Sequence, residues 1–69
     1  MKTPVEKNKE YEFYIEGMGF QGEGVGKLEG FTVFVPGAIK GEKVRAKILK
    51  VDKRFAFGKL IEIIEKSEF

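Results

Sequence analysis

Apolar and polar residues alternate over five short stretches of the chain, with the period of two that a β-strand with one wet face imposes. In the first stretch, Glu10–Gly17, Tyr11, Phe13 and Ile15 alternate with Glu12, Tyr14 and Glu16. Glycines at 17, 19, 22, 24, 26 and 30 follow, a spacing hostile to helix. They predict a mobile loop and then a bent or bulged second strand at about Gly24–Glu29. Phe31–Val35 is the third strand, close enough after Gly30 to form a hairpin with the second. Ala38–Glu42 reads as a turn. The fourth strand, Glu42–Val51, sets Val44, Ala46 and Ile48 against Lys43, Arg45 and Lys47. The parity slips at Leu49 and Val51, which predicts a bulge or strong coiling. After an Asp52-Lys53-Arg54 turn, the fifth strand runs over Phe55–Ile64. There Ala56, Gly58 and Leu60 oppose Phe55, Phe57 and Lys59, and the parity reverses again at Ile61, Ile63 and Ile64. Five short strands, glycine-marked bends and no helical period make an all-β fold, a small closed or nearly closed antiparallel barrel. Residues 1–8 lack periodicity and read as a flexible lead-in, 9–66 as the domain, and 67–69 as a tail.

The third strand is apolar on both faces. Phe31, Val33 and Val35 point one way and can fill a core, which leaves Phe34 on the outside. On a small domain with one core, an outward phenylalanine invites a ligand.

With 69 residues the core is thin, burying only about 60% of the surface that the unfolded chain exposes. Cys 0 and His 0 remove the disulfide staple and the thiol and imidazole ligands of zinc, haem and iron–sulfur sites, so no metal or cofactor is expected. The lack of cysteine fits a reducing cytoplasm. No apolar run nears the roughly 20 residues that span a bilayer, and no signal peptide shows, so a soluble protein with no membrane partner is expected.

The formal net charge of +2 conceals a polarised distribution. Residues 1–35 carry four lysines against six glutamates, whereas residues 40–59 carry eight bases against Glu42 and Asp52. The second segment builds a local positive potential. No catalytic constellation accompanies it. Ser67 is a lone serine in the tail, and Gly22-Glu23-Gly24-Val25-Gly26 has neither the spacing nor the following helix of a dinucleotide fingerprint. Gly26-Lys27 is followed by Leu28 instead of Ser or Thr, so it is no phosphate-binding P-loop. The chain is read as a non-enzyme.

What it does carry is aromatic residues interleaved with bases. Phe55 and Phe57 share a strand face with Lys59 and follow Lys53-Arg54 directly, Lys50 lies just upstream, and Phe34 faces outward on another strand. Single-stranded nucleic acid is gripped this way, with cations tracking phosphates and bases stacking on rings at about 1–3 kcal/mol each. RNA loops and bulges offer the same splayed bases. Phe13 and Phe31 are assigned by periodicity to packing. Phe20 is open between anchoring its loop and contacting a ligand, and Lys43, Arg45 and Lys47 between a phosphate-tracking row and a solvated face.

At these residues the chain resembles a TRAM domain, a small RNA-binding β-barrel module. Gly22–Gly26, the run Gly30-Phe31-Thr32-Val33-Phe34-Val35-Pro36-Gly37-Ala38-Ile39-Lys40-Gly41-Glu42, and Val44–Val51 with its Asp52-Lys53-Arg54 turn carry the resemblance, which covers about residues 9–66. The middle run is the specific part. The resemblance implies an OB-like five-stranded antiparallel barrel, of a kind often appended to tRNA-modifying enzymes. Standing alone, the sequence is most similar to the free-standing archaeal members, regarded as RNA chaperones in the manner of cold-shock proteins. Carried over, the family pattern implicates Lys27, Phe31 and Phe34 near the strand pair, and Lys50, Arg54, Phe55 and Phe57 at the last hairpin. With the basic positions Arg45, Lys47 and Lys53, these make up the candidate RNA-binding set. For Phe31 the two readings pull apart, since periodicity puts it in the core. The expected function is a monomer binding single-stranded, loop or transfer RNA with low sequence selectivity. Single-stranded DNA stays open as a ligand, because nothing here reads the 2′-hydroxyl. The alternative is a protein-interaction module that docks on tRNA-modification or translation factors.

Overall fold

A computed structural model describes residues 5–66. Five strands follow in order: β1 (Glu10–Met18), β2 (Gly24–Leu28), β3 (Phe31–Val35), β4 (Lys43–Val51) and β5 (Phe55–Glu65). They close into a barrel with the order β1-β2-β3-β5-β4, β4 returning to pair with β1. Consecutive strands alternate in direction, so β3 and β5 run the same way, and the seam between them is parallel. The other four pairings are antiparallel, as the sequence pattern suggests.

The inner face collects the positions that period two selects: Phe13 and Ile15 from β1, Phe31, Val33 and Val35 from β3, Val44, Ala46 and Ile48 from β4, and Ala56 from β5. Where the alternation slips, a bulge explains it. Leu49 is the extra residue between Ile48↔Gly58 and Lys50↔Phe57, and Ile61 and Ile64 are the extra residues of β5 opposite Ala46–Arg45 and Val44–Lys43. Each of these three apolar side chains is exposed, and so is Ile63 beside them at the end of β5. A bulge thus resets the parity and tightens the local coil, as a five-stranded barrel requires.

So narrow a barrel has no room for side chains on every inward position. Gly26 faces Phe13 so closely that a Cβ there would lie 2.4 Å from the ring. Val5 is fully buried, Asn8 N–H donates to Ile48 O at 2.7 Å, and Ile48 N–H donates to Lys9 O at 2.9 Å. The core therefore reaches Val5, inside the stretch 1–8 that the sequence pattern reads as a lead-in, because Val5 has an apolar side chain to bury. Residues 1–4 and 67–69, Ser67 among them, lie outside the described residues.

Residues 36–42 are fastened to β1. Gly41 N–H donates to Ile15 O at 2.9 Å and Ile15 N–H to Glu42 O at 2.8 Å. The Glu42 side chain is buried, and its Oε1 accepts the Ile39 N–H at 2.7 Å. The end of β3 is held in place by this loop, and with it the outward side of the β3–β5 seam.

Candidate nucleic-acid interface

Side chains at paired positions of neighbouring strands share a face, so the register reports which outward residues meet. Across the parallel seam Thr32 pairs with Phe55 and Phe34 with Phe57. Phe34, Phe55 and Phe57 form one cluster outside the barrel. Phe34 and Phe57 lie with centroids 5.6 Å apart and planes inclined at 30°. Phe55 stands edge-on to both, at 5.8 Å from Phe34 and 5.5 Å from Phe57. All three separations fall in the range in which aromatic pairs attract. Phe34 and Phe55 are half-buried by this packing, while Phe57 keeps 40% of its surface exposed. A partly exposed ring braced by two others is a preformed platform, with little freedom left to lose when a base stacks on it.

Cations flank the cluster on both sides. On β2, Lys27 is paired with Thr32, placing it in the row that continues to Phe55, and Val25 is paired with Phe34. On β4, Lys50 is paired with Phe57, and Lys47 with Lys59 of β5. Lys53 and Arg54 are exposed in the turn before Phe55, which is shaped by the Asp52 N–H donating to Phe55 O at 2.7 Å and the Lys53 N–H to Asp52 Oδ1 at 2.8 Å. Lys27, Phe34, Lys47, Lys50, Lys53, Arg54, Phe55 and Phe57 therefore gather around the β2–β3–β5–β4 face. It is an outer face of the barrel, with no cavity among the described residues.

Two sequence expectations change. Phe31 is only 8% exposed and packs in the barrel core, so its ring is not offered to a ligand; periodicity placed it correctly and the family pattern did not. Arg45 is clamped between carboxylates on the neighbouring strands, with Nη2 at 2.7 Å from Glu12 Oε2 and Nη1 at 3.2 Å from Glu62 Oε1. The hydrogen bond to Arg45 holds the Glu12 carboxyl below the usual carboxylate range, and the same bond raises the guanidinium above its own. Next along β4, Lys43 lies over the Tyr14 ring at 5.5 Å, and the Tyr14 hydroxyl donates to Glu65 Oε2 at 3.0 Å, which raises the phenol above its ordinary value. The expected basic row of Lys43, Arg45 and Lys47 is thus interrupted by acids from β1 and β5. Free positive charge concentrates instead beside the aromatic cluster. Lys59 belongs there although it is absent from the candidate set; its signal was the period of two running on from Phe55 and Phe57.

Among the described residues no group of three or more His, Cys, Asp or Glu side chains could hold a metal ion, and no helix is long and apolar enough to cross a membrane.

Comparison with known proteins places this geometry. The TRAM domain family model matches residues 4–61. Over 65 residues the chain is 66% identical to an uncharacterized RNA methyltransferase of Clostridium acetobutylicum, an alignment covering 94% of this chain and 14% of that protein. It is 56% identical over 64 residues to an uncharacterized RNA methyltransferase of Clostridium tetani, covering 93% of this chain and again 14% of the relative. The chain spans about 14% of the length of these curated relatives. Among solved structures, the solution structure of a conserved protein of Methanococcus maripaludis superposes with a TM-score of 0.83 at 45% identity, over 87% of this chain and 86% of that one. The similarity therefore extends beyond the archaeal type to bacterial proteins. In the methyltransferase relatives the match is confined to the part that aligns with this module, and the rest of each chain lies outside it. By fold, motif and alignment alike, this chain belongs to the TRAM domain family of RNA-binding modules.

Proposed function

We propose that the β2–β3–β5–β4 face binds single-stranded or loop RNA, transfer RNA loops included, with little sequence selectivity. The observation that carries this is the mutually packed Phe34–Phe55–Phe57 cluster with lysines on both flanks. Bases stack on the exposed part of Phe57 while Lys27, Lys50 and the Lys47–Lys59 pair meet phosphates. Because every base has a π-face, stacking of this kind discriminates weakly among sequences. Binding that favours unpaired over paired RNA shifts RNA toward its open states by mass action, which is the action of an RNA chaperone. The protein acts as a monomer in the cytoplasm. The small share that this module forms of RNA methyltransferases supports a further role, holding RNA beside a separate catalytic domain.

Affinity for oligouridylate measured against salt tests the electrostatic part. Each phosphate contact adds about −0.7 to the log–log slope for a single strand, so two to four contacts give about −1.4 to −2.8. Phe57→Ala tests the stacking part, with an expected weakening of roughly 5- to 150-fold from about 1–3 kcal/mol of stacking. A slope near zero, or an unchanged affinity in the variant, would overturn the reading. Oligothymidylate in parallel separates RNA from single-stranded DNA.

A second reading, a docking module for modification or translation factors, draws support from the exposed Ile61, Ile63 and Ile64 on the far half of β5. It predicts saturable protein binding with little salt dependence.

A further inference from the structure

We propose that the turn between β1 and β2 is a second contact for the same RNA strand, with Phe20 as its stacking residue. This rests on the RNA-binding reading above.

Phe20 is 103% exposed, so its ring anchors nothing in the fold. The turn that carries it is nevertheless firmly built. Gly19 N–H donates to Glu23 O at 2.7 Å, Gly22 N–H to Gly19 O at 3.1 Å, and Gln21 N–H to Glu23 Oε1 at 3.2 Å. Gly22 has φ +85°, where side chains are strained, and a Cβ on Gly19 would run into the Glu23 carboxylate. Glycines on either side of Phe20 thus satisfy geometry, and Phe20 itself satisfies none. A large apolar ring held in water by a defined turn gains nothing for stability, and a stacked base would cover it.

The neighbours of the ring fit a nucleotide. Gln21 is exposed beside it with an amide able to bond a base edge. Lys40 reaches the same end of the barrel on the adjoining loop, its N–H pointing to Met18 Sδ at 3.3 Å. Ring, amide and cation repeat the chemistry of the main face. The turn lies just past the end of that face, because the outward row of Phe57, Phe34 and Val25 runs on to Gly17 of β1, three residues before Phe20. From the Phe57 position to the turn is three strand spacings across the sheet and about three residue steps along β1, together on the order of 17 Å. A strand in a stacked helix advances about 3.4 Å per nucleotide, so roughly five nucleotides separate the two contacts.

Length dependence tests this. Phe20→Ala should weaken binding of a ten-nucleotide oligouridylate by about 5- to 150-fold while leaving a trinucleotide, followed by NMR titration, unchanged. Phe20→Trp should hold the decamer as wild type does, and the thermal midpoint of Phe20→Ala should not move. An unchanged decamer affinity in Phe20→Ala would overturn the inference and reassign the turn to protein contact. Equal weakening of both oligonucleotides, or a lowered midpoint, would overturn it too. Failure of the parent reading is distinct: wild type would then bind neither oligonucleotide, or Phe57→Ala would leave both affinities intact.

Discussion

Replacing Gly26 by alanine adds one methyl group inside the barrel, and the backbone fixes where it goes. Its carbon would lie 2.4 and 2.5 Å from Cδ2 and Cε2 of Phe13 and 3.0 Å from the Tyr14 carbonyl oxygen. Carbons in contact sit about 3.5–4.0 Å apart, so the ring must retreat by roughly 1 Å. Phe13 is buried among the core residues, and the Tyr14 carbonyl belongs to β1, whose Ile15 is paired with Gly26 itself. Neither can yield without disturbing the core or the β1–β2 ladder. Overpacking of this kind costs about 1–3 kcal/mol. The loss of freedom in the unfolded chain when Gly becomes Ala offsets about 0.4–1 kcal/mol of that. The two ranges leave about 0–2.6 kcal/mol, and a clash with backbone as well as ring puts the net in the upper part, about 1–2 kcal/mol, which should lower the midpoint by about 5–15 °C for a domain of this size. Thermal unfolding by circular dichroism reads it. Gly17→Ala is the control, since its methyl would meet nothing within 4 Å, and it should stay within about 0.5 kcal/mol of wild type. Adding Phe13→Leu to Gly26→Ala should cost less than the sum of the two single changes, because the ring edge that clashes is gone. A Gly26→Ala protein as stable as wild type would refute the packing described for β1 and β2.

Three further outcomes follow from the site and its supports. Lys50→Gln should make the salt dependence of RNA binding shallower by about 0.7 in log–log slope, whereas Arg45→Gln should leave it unchanged, because Arg45 already faces Glu12 and Glu62; equal effects would restore Arg45 as a phosphate contact. Glu42→Ala removes the acceptor of the Ile39 N–H and should destabilise by about 1–3 kcal/mol in urea unfolding, with Glu42→Gln closer to wild type. Tyr14 should titrate above the ordinary tyrosine range of about 10, the raised value reflecting its bond to Glu65. The neutral phenol is favoured in the folded state, so this contribution to stability is full below the unfolded pKa and fades as pH rises through the folded one. Spectrophotometric titration of a Tyr11→Phe protein isolates Tyr14, and Glu65→Gln should bring its value back down.

Much of the barrel was legible because its strands obey one simple period. Val44, Ala46 and Ile48 inside against Lys43, Arg45 and Lys47 outside needed only alternation, and the slip at Leu49 and Val51 announced a bulge that the register shows, while the reversal over Ile61, Ile63 and Ile64 coincides with two more. The joining of Phe34 to Phe57 was not legible. It depends on a parallel pairing between strands that are not neighbours in sequence, and local pattern carries no such information. The ion pairs of Arg45 were hidden for the same reason. Its own strand makes it one base among several, and only the flanking strands bring Glu12 and Glu62 to it. Phe31 shows the opposite case, in which local alternation outperformed the family pattern. The reach of the core to Val5 was hidden because a single apolar residue in a polar stretch has no period.

The parallel seam has a consequence for folding order. Its partners, β3 and β5, are separated by all of β4 and two turns, so the seam has a larger loop-closure entropy to overcome than the β2–β3 and β4–β5 hairpins on either side and closes after them. The aromatic cluster straddles that seam. A nascent or partly opened chain can present Phe34 or Phe57 but never the two rings together, so the RNA platform exists only in the closed barrel. On the proposed reading, RNA bound across Phe34 and Phe57 favours the closed seam over opened forms of the chain, so affinity and closure become one equilibrium seen from two sides.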